Sequence, residues 1–246
     1  MKAKTSPEST AGPVATRRPG RPGRPSGAAA GAGQRARLLD VALALFARHG
    51  IVDTTLGAIA REAGVTPAML HYYFHTRDQL LDVLIDERFV PLRASLRGVF
   101  DAHPDEPVAA LTDLALRFVR LADEHPWFPP LWIREVISEG GLLRQRMRER
   151  FGDDEPRATL ANIARWQREG KLNPALDPSL VFVSLLGLTV LPLATSRVWR
   201  DDPARQRIGA HEVARHAVAM IAYGVSPPPS GDTRGAGAQR TAGRGA

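Results

Sequence analysis

The 246-residue chain contains no cysteine. That absence removes disulfides, thiol nucleophiles and cysteine metal sites together, and it suits a reducing compartment, with the cytoplasm as the default. Aromatic residues are scarce at 6% of the sequence, with only three tyrosines and four tryptophans, so any ring-lined surface must draw on a few particular positions. The basic N-terminal stretch MKAKTSPESTAGPVATRRPGRPGRPSG has no apolar run behind its charges and does not read as a secretory signal. Also missing are a nucleophile elbow, a phosphate loop, an HExxH motif and paired catalytic carboxylates. No enzyme activity is therefore expected, and neither a metal nor another cofactor. A folded core is expected all the same, because 43% of the residues are hydrophobic.

Charge is distributed unevenly. Residues 1–37 hold eight Lys and Arg against Glu8, a net +7, residues 226–246 hold +2, and the middle of the chain is −2. Segments 1–33 and 226–246 are rich in Pro, Gly, Ala, Ser and Thr without periodicity, and both are expected to be disordered. Basic arms of this kind seek nucleic acid or an anionic membrane surface, a solubilising tail being the plainer alternative. Within RRPGRPGRP, Pro and Gly separate Arg17, Arg18, Arg21 and Arg24. The stretch resembles an AT-hook core in type but lacks its Arg-Gly-Arg-Pro order, and it reads as an arm that follows a minor groove or a line of phosphates.

Between the tails the apolar residues recur with helical period and no period-2 runs appear, which makes the chain all-α. Leu38, Val41, Ala42, Leu45 and Phe46 form one stripe, ended by Gly50. A shorter helix follows Thr55 and stops at Gly64. A third starts at the N-cap Thr66 with Pro67 in first position, where its missing N–H costs nothing. Thr76-Arg77-Asp78-Gln79 fits a capping box ahead of Leu80, Leu81, Leu84 and Ile85. Further on, the spacing predicts helices over 107–124, 130–139, 142–151, 156–169, 178–199 and 203–223, the last two opened by Asp177-Pro178 and Asp202-Pro203.

A helix of about eight residues, a turn containing Gly64 and a second helix from a Thr-Pro cap have the spacing of a helix-turn-helix. In GVTPAMLHYYF, residues 64–74, Leu70 and Phe74 take the inward face, which leaves Ala68 and Tyr72 opposite, flanked by Met69 and His71. If the outer face meets DNA, Pro67, Ala68 and His71 reach base edges or a thymine methyl from the N-terminal part of the recognition helix. Tyr72 and Tyr73 donate their hydroxyls to phosphates, as do Thr55 and Thr66 at two helix N-termini, and Arg77 reaches the backbone. For Tyr73 and His71 the alternative is packing between helices.

From Leu38 to Leu84, and above all in TTLGAIAREAGVTPAMLHYYFHTRDQLL, these residues resemble the DNA-binding domain of the TetR family of bacterial one-component regulators. The resemblance implies an N-terminal three-helix helix-turn-helix domain over 34–84, joined to a helical ligand-binding and dimerisation domain over 85–225. The implied function is sequence-specific transcriptional regulation, as a homodimeric repressor released from a double-stranded DNA operator by a small-molecule effector. A TetR-type activator, or an architectural protein acting mainly through basic arms, is the alternative. Two departures stand out: His71 replaces a common Tyr, and Gly57-Ala58 replace residues that many members have charged. Residues 38–89 also hold four Arg against seven acidic residues, which moves weight onto the arm.

In that family the last two long helices pair with those of a partner, which implies an interface around Leu185, Leu188, Val213, Ala217 and Met220. The stretch 178–196 is uncharged and nearly long enough to cross a membrane. Its Ser184, Thr189, Pro192, Thr195 and Ser196 instead suit a helix with one face on its own core and the other on a dimer partner, so no membrane contact is expected. An effector pocket is expected between 107–124, 130–139 and 156–169. Phe118, Trp127, Phe128, Trp132 and Trp166 would line it, with Arg134 or Glu135 as an orienting charge, core packing being the alternative. Glu135 and Glu139, near His125, read as a solvated face.

Overall fold

Three threonines start three helices in the N-terminal third of the molecule. A computed structural model describes residues 27–138, 141–196, 198–199 and 201–227, with backbone only for 27–30. Thr55 caps α2 (Leu56–Ala63), Thr66 caps α3 (Pro67–Phe74) and Thr76 caps α4 (Arg77–Leu84). Each sits in extended backbone, and its hydroxyl oxygen accepts the N–H three residues on, from Ala58, Met69 and Gln79. Such a cap contributes about 1 kcal/mol. Ahead of them runs α1 (Gly27–His49), which begins inside the stretch expected to be disordered. The correction has a local cause, since Ala28, Ala29, Ala30 and Ala32 have the highest helix propensity of any residue type.

The connector out of this domain is continuous but irregular. α4 passes through a π-turn at Ile85–Phe89 into α5 (Val90–Leu96). Pro91 lacks an N–H and its ring crowds the carbonyl four residues back, and the wider turn relieves that clash, with the Val90 N–H bonding to the Ile85 carbonyl. Then come α6 (Val99–Ala102), α7 (Pro107–Glu124) and α8 (Phe128–Trp132), which runs into a second π-turn at Ile133–Ile137. α9 (Leu142–Phe151), α10 (Asp154–Arg168), α11 (Pro178–Thr195) and α12 (Ala210–Gly224) complete the described chain, which contains no strand.

The last helix starts at Ala210 rather than at Pro203. The Asp202 carboxylate accepts the Ala204 N–H at 2.9 Å, so Asp202-Pro203 opens a turn instead of a helix. The start is made by Glu212, whose carboxylate accepts the Gly209 N–H at 3.1 Å.

Two apolar clusters form the interior. One joins α1 to α4 and takes in Leu131 and Leu143 from α8 and α9; the other joins α7, α10, α11 and α12. Trp127 packs against both. Leu185 lies in the second cluster, and Val213 and Ala217 are buried on α12, which packs on α7 and α11 of the same chain, so all three are core residues and not the interface expected of them. Leu188 is half-buried and Met220 exposed. α11 has a mean hydropathy of 1.9, yet only 28% of it is buried, which leaves one apolar face uncovered.

Candidate nucleic-acid interface

α2 and α3 meet at a turn that needs glycine. Gly64 has φ 68° and ψ 35°, the left-handed region, and its N–H and that of Val65 bond back to Arg61 and Ala60. Leu70 and Phe74 are buried, so α3 is fixed by its inward face, each of the two side chains contributing about 1.5–3 kcal/mol of apolar burial. Thr55, Thr66, Pro67, Ala68, Met69, His71 and Tyr72 remain exposed on the outside, Tyr72 to 77%.

The remaining side chains are less free. Tyr73 is half-buried and donates its hydroxyl to the Gly31 carbonyl at 3.3 Å, which ties α3 to the N-terminal part of α1. Arg77 donates to the Val52 carbonyl at 2.6 Å and so braces the loop after α1. The His71 Nδ1 lies 2.9 Å from the His75 carbonyl. A carbonyl can only accept, so Nδ1 carries the proton, and in the neutral ring Nε2 faces outward as an acceptor. His75 closes the helix with a left-handed φ of 45°. Arg61 is exposed one turn beyond Gly57 on α2, a basic side chain that motif reading passed over. Arg17, Arg18, Arg21 and Arg24 lie outside the described residues, as does Glu139.

The acidic balance of this region has a structural explanation. Six of the seven carboxylates in 38–89 are in ion pairs: Asp40 with Arg88, Glu62 with Arg48, Glu87 with Arg35, Asp78 and Asp82 with Arg146, and Asp86 with Arg150. Asp78, Asp82 and Asp86 recur every four residues along one side of the connector and meet arginines of α9. Exposed pairs of this kind add little stability, but they neutralise charge that would otherwise oppose a polyanion.

Comparison with known proteins agrees with this geometry. Residues 38–84 match the family described as bacterial regulatory proteins, tetR family. The chain is 31% identical over 155 residues to the HTH-type transcriptional regulator RutR of Escherichia coli strain K12, covering 59% of this chain and 68% of RutR. The chain belongs to the TetR family. It is also 36% identical over 95 residues to the regulator BetI of Rhizobium meliloti, but spans only 46% of that relative's length and 37% of its own. The ketosteroid transcriptional regulator KstR2 of Mycobacterium tuberculosis shares the fold, with a TM-score of 0.63 at 22% identity over 78% of this chain and 95% of that one. Residues 38–84 are thus the DNA-binding domain of a transcription regulator, and the protein is not an enzyme.

The residues expected around an effector separate into two groups. Trp166 is fully buried with its indole N–H on the Pro104 carbonyl at 2.7 Å, and Phe118 is buried edge-on against Phe182, so both are core. Trp127, at the start of α8, meets Phe128 edge-on with ring centroids 6.2 Å apart, and Phe128 lies tilted against Trp132 at 5.3 Å. The Trp132 Nε1 is buried with no partner among the described residues. Arg134 is exposed and reaches the Arg48 carbonyl at 3.4 Å, while Glu135 turns to the first domain. An open cleft of about 380 Å³ lies elsewhere, lined by Ser95, Asp113, Arg117, Arg120, Leu121 and Glu124.

Proposed function

We propose that the protein is a homodimeric repressor that binds a two-fold symmetric operator and is released by a small apolar effector, residues 34–84 binding DNA and 85–225 holding the effector and the dimer contact. The observation that carries the DNA reading is the outward face of α2 and α3. Pro67, Ala68 and Met69 offer apolar contact to thymine methyls, His71 an acceptor for a base amino group, and Tyr72 a hydroxyl for a phosphate. Thr55 and Thr66 bring two helix N-termini to the same side. Tyr73 and Arg77 act one step back, by holding α3 and the α1–α2 loop. Because Gly31 touches Tyr73, the chain leading back to Arg24, Arg21, Arg18 and Arg17 starts beside α3, which supports a role for these arginines on the adjacent DNA backbone.

The dimer is assigned to the uncovered side of α11 and α12, where Leu180, Val183, Leu191, Met220 and Tyr223 are exposed. Leu180, Val183, Gly187 and Leu191 fall on one helical face, as do Met220 and Tyr223. For the effector, Trp132 is the handle: a buried donor without a partner favours a ligand that presents an acceptor to it among the rings of Trp127 and Phe128. Selection from random duplex DNA tests the reading. One consensus built of two inverted half-sites is expected, whereas indiscriminate recovery would favour the architectural alternative.

A further inference from the structure

The short loop between α1 and α2 and the end of α1 are held by side-chain hydrogen bonds from both domains. Within the first domain the Thr54 hydroxyl donates to the Gly50 carbonyl at 2.6 Å, and Arg77 donates to the Val52 carbonyl. From the π-turn after α8, Arg134 donates to the Arg48 carbonyl, and the Glu135 Oε1 accepts the N–H of Ile51 at 2.9 Å. Glu135 is only 5% exposed and stands 84 residues from its partner.

A buried carboxyl group is costly unless it is hydrogen-bonded, and one backbone donor offsets only part of that cost. An apolar side chain would pack the same space at lower cost. What the carboxylate alone supplies is a fixed point for the Ile51 N–H. Glu135 is in contact on both sides. Gly50 has φ 89°, and a Cβ there would lie 3.5 Å from the Glu135 Oε1 and 3.4 Å from the Arg134 Cδ. Gly141, which opens α9, abuts Glu135 so tightly that any Cβ would collide with the Glu135 carbonyl. The carboxylate is thereby anchored from its own backbone, and it anchors in turn a buried residue, Ile51, that lies four positions before the N-cap Thr55.

We propose that Glu135 is a positioning residue for DNA binding: by holding the Ile51 N–H it fixes the α1–α2 loop, and so sets where Thr55 and the N-terminus of α2 meet the phosphate backbone. This rests on the reading of α2 and α3 as the DNA face. It places one determinant of operator affinity in the second domain, with no contact to DNA.

Two substitutions separate positioning from packing. Glu135→Gln keeps an acceptor oxygen, and Glu135→Met fills the space without one. On the selected operator, Glu135→Met is expected to lose about tenfold or more in affinity, about 1.4 kcal/mol, while Glu135→Gln stays within about threefold of the unmodified protein. Amide exchange at Ile51 is expected to accelerate in the Met variant and not in the Gln variant, with the amides of Leu39 and Leu43 unchanged. A Met variant that binds the operator as tightly as the unmodified protein would overturn the proposal, as would a Gln variant that loses as much as Met. Should the Met variant fail to fold, exchange in the unmodified protein decides: an Ile51 amide as slow as the core amides supports the anchor, and one as fast as an open loop rules it out. The DNA-face reading is judged separately by Thr55→Ala. If that variant binds normally the interface is misassigned, whatever the Ile51 amide does.

Discussion

On the α2–α3 side the uncovered groups include threonine and tyrosine hydroxyls, a histidine ring and two helix N-termini beside Pro67, Ala68 and Met69; on the α11–α12 side they include Leu180, Val183, Leu191, Met220 and Tyr223, with Arg215 and His216 also exposed on α12. The first set would lose by being buried dry, because its donors need acceptors, and a row of phosphates supplies them. The apolar side chains of the second set gain from dry burial, at about 25 cal/mol per Å² of apolar surface. On the proposed reading the two surfaces take opposite partners, a polyanion and a second copy of the same face. Salt should distinguish them, since counterion release governs the first contact and hardly touches the second.

The largest effect is expected from the apolar side. Val183→Glu combined with Leu191→Glu places charges where the partner's face would bury them, and sedimentation should show monomers. Operator affinity should then fall by about a hundredfold or more, because two linked half-sites become two separate encounters. A double variant that remained dimeric would remove α11 from the interface and undo the contrast between the two faces.

The next effect concerns the polar side. Removing residues 1–26 leaves α1 and the contact of Tyr73 with Gly31 in place but takes away Arg17, Arg18, Arg21 and Arg24. The slope of log affinity against log salt should flatten by about two to four units per subunit, at about 0.9 per phosphate contact, with the preferred sequence unchanged. Dimerisation should respond to neither the truncation nor the salt. An unchanged slope would make the arm a solubilising tail.

The first domain was largely legible because its determinants are local. Thr55, Thr66 and Thr76 name their own helices, Gly64 names the turn, and the spacing of Leu70 and Phe74 names the buried face. The second domain was legible as helices but not as a site, because a helical stripe shows that a residue is covered and not by what. Leu185 and Val213 fit an interface stripe as well as a core stripe, and only their burial where α7 packs on both helices decides for core. Trp166 looked like a pocket wall for the same reason. Glu135 was out of reach for a different reason. Its partner is a backbone N–H far along the chain, and no sequence pattern records such a pairing. The acidic excess of 38–89 likewise made sense only once α9 was seen beside the connector.

The smallest effect lies away from both surfaces. On α7 the hydrogen bond from Arg117 to Asp113 holds that carboxyl below its ordinary value of 3.8, with burial opposing and His103 and Arg120 adding attraction. A carboxyl that titrates lower in the folded state stabilises fully above its ordinary value and loses that contribution as pH falls through the lowered one. Asp113→Asn should therefore reduce thermal stability slightly at neutral pH and hardly at all in the most acidic solutions. A loss that grew on acidification would contradict the assignment, and operator preference should not change at any pH.

The polar face itself is tested most directly by repeating the duplex selection with His71→Ala beside Tyr72→Phe. If α3 lies in the major groove with His71 toward the bases and Tyr72 toward a phosphate, His71→Ala returns an altered consensus at one position of each half-site. Tyr72→Phe then returns the original consensus with uniformly weaker binding. The same consensus and affinity from both variants as from the unmodified protein would mean that the exposed rings of α3 do not face DNA.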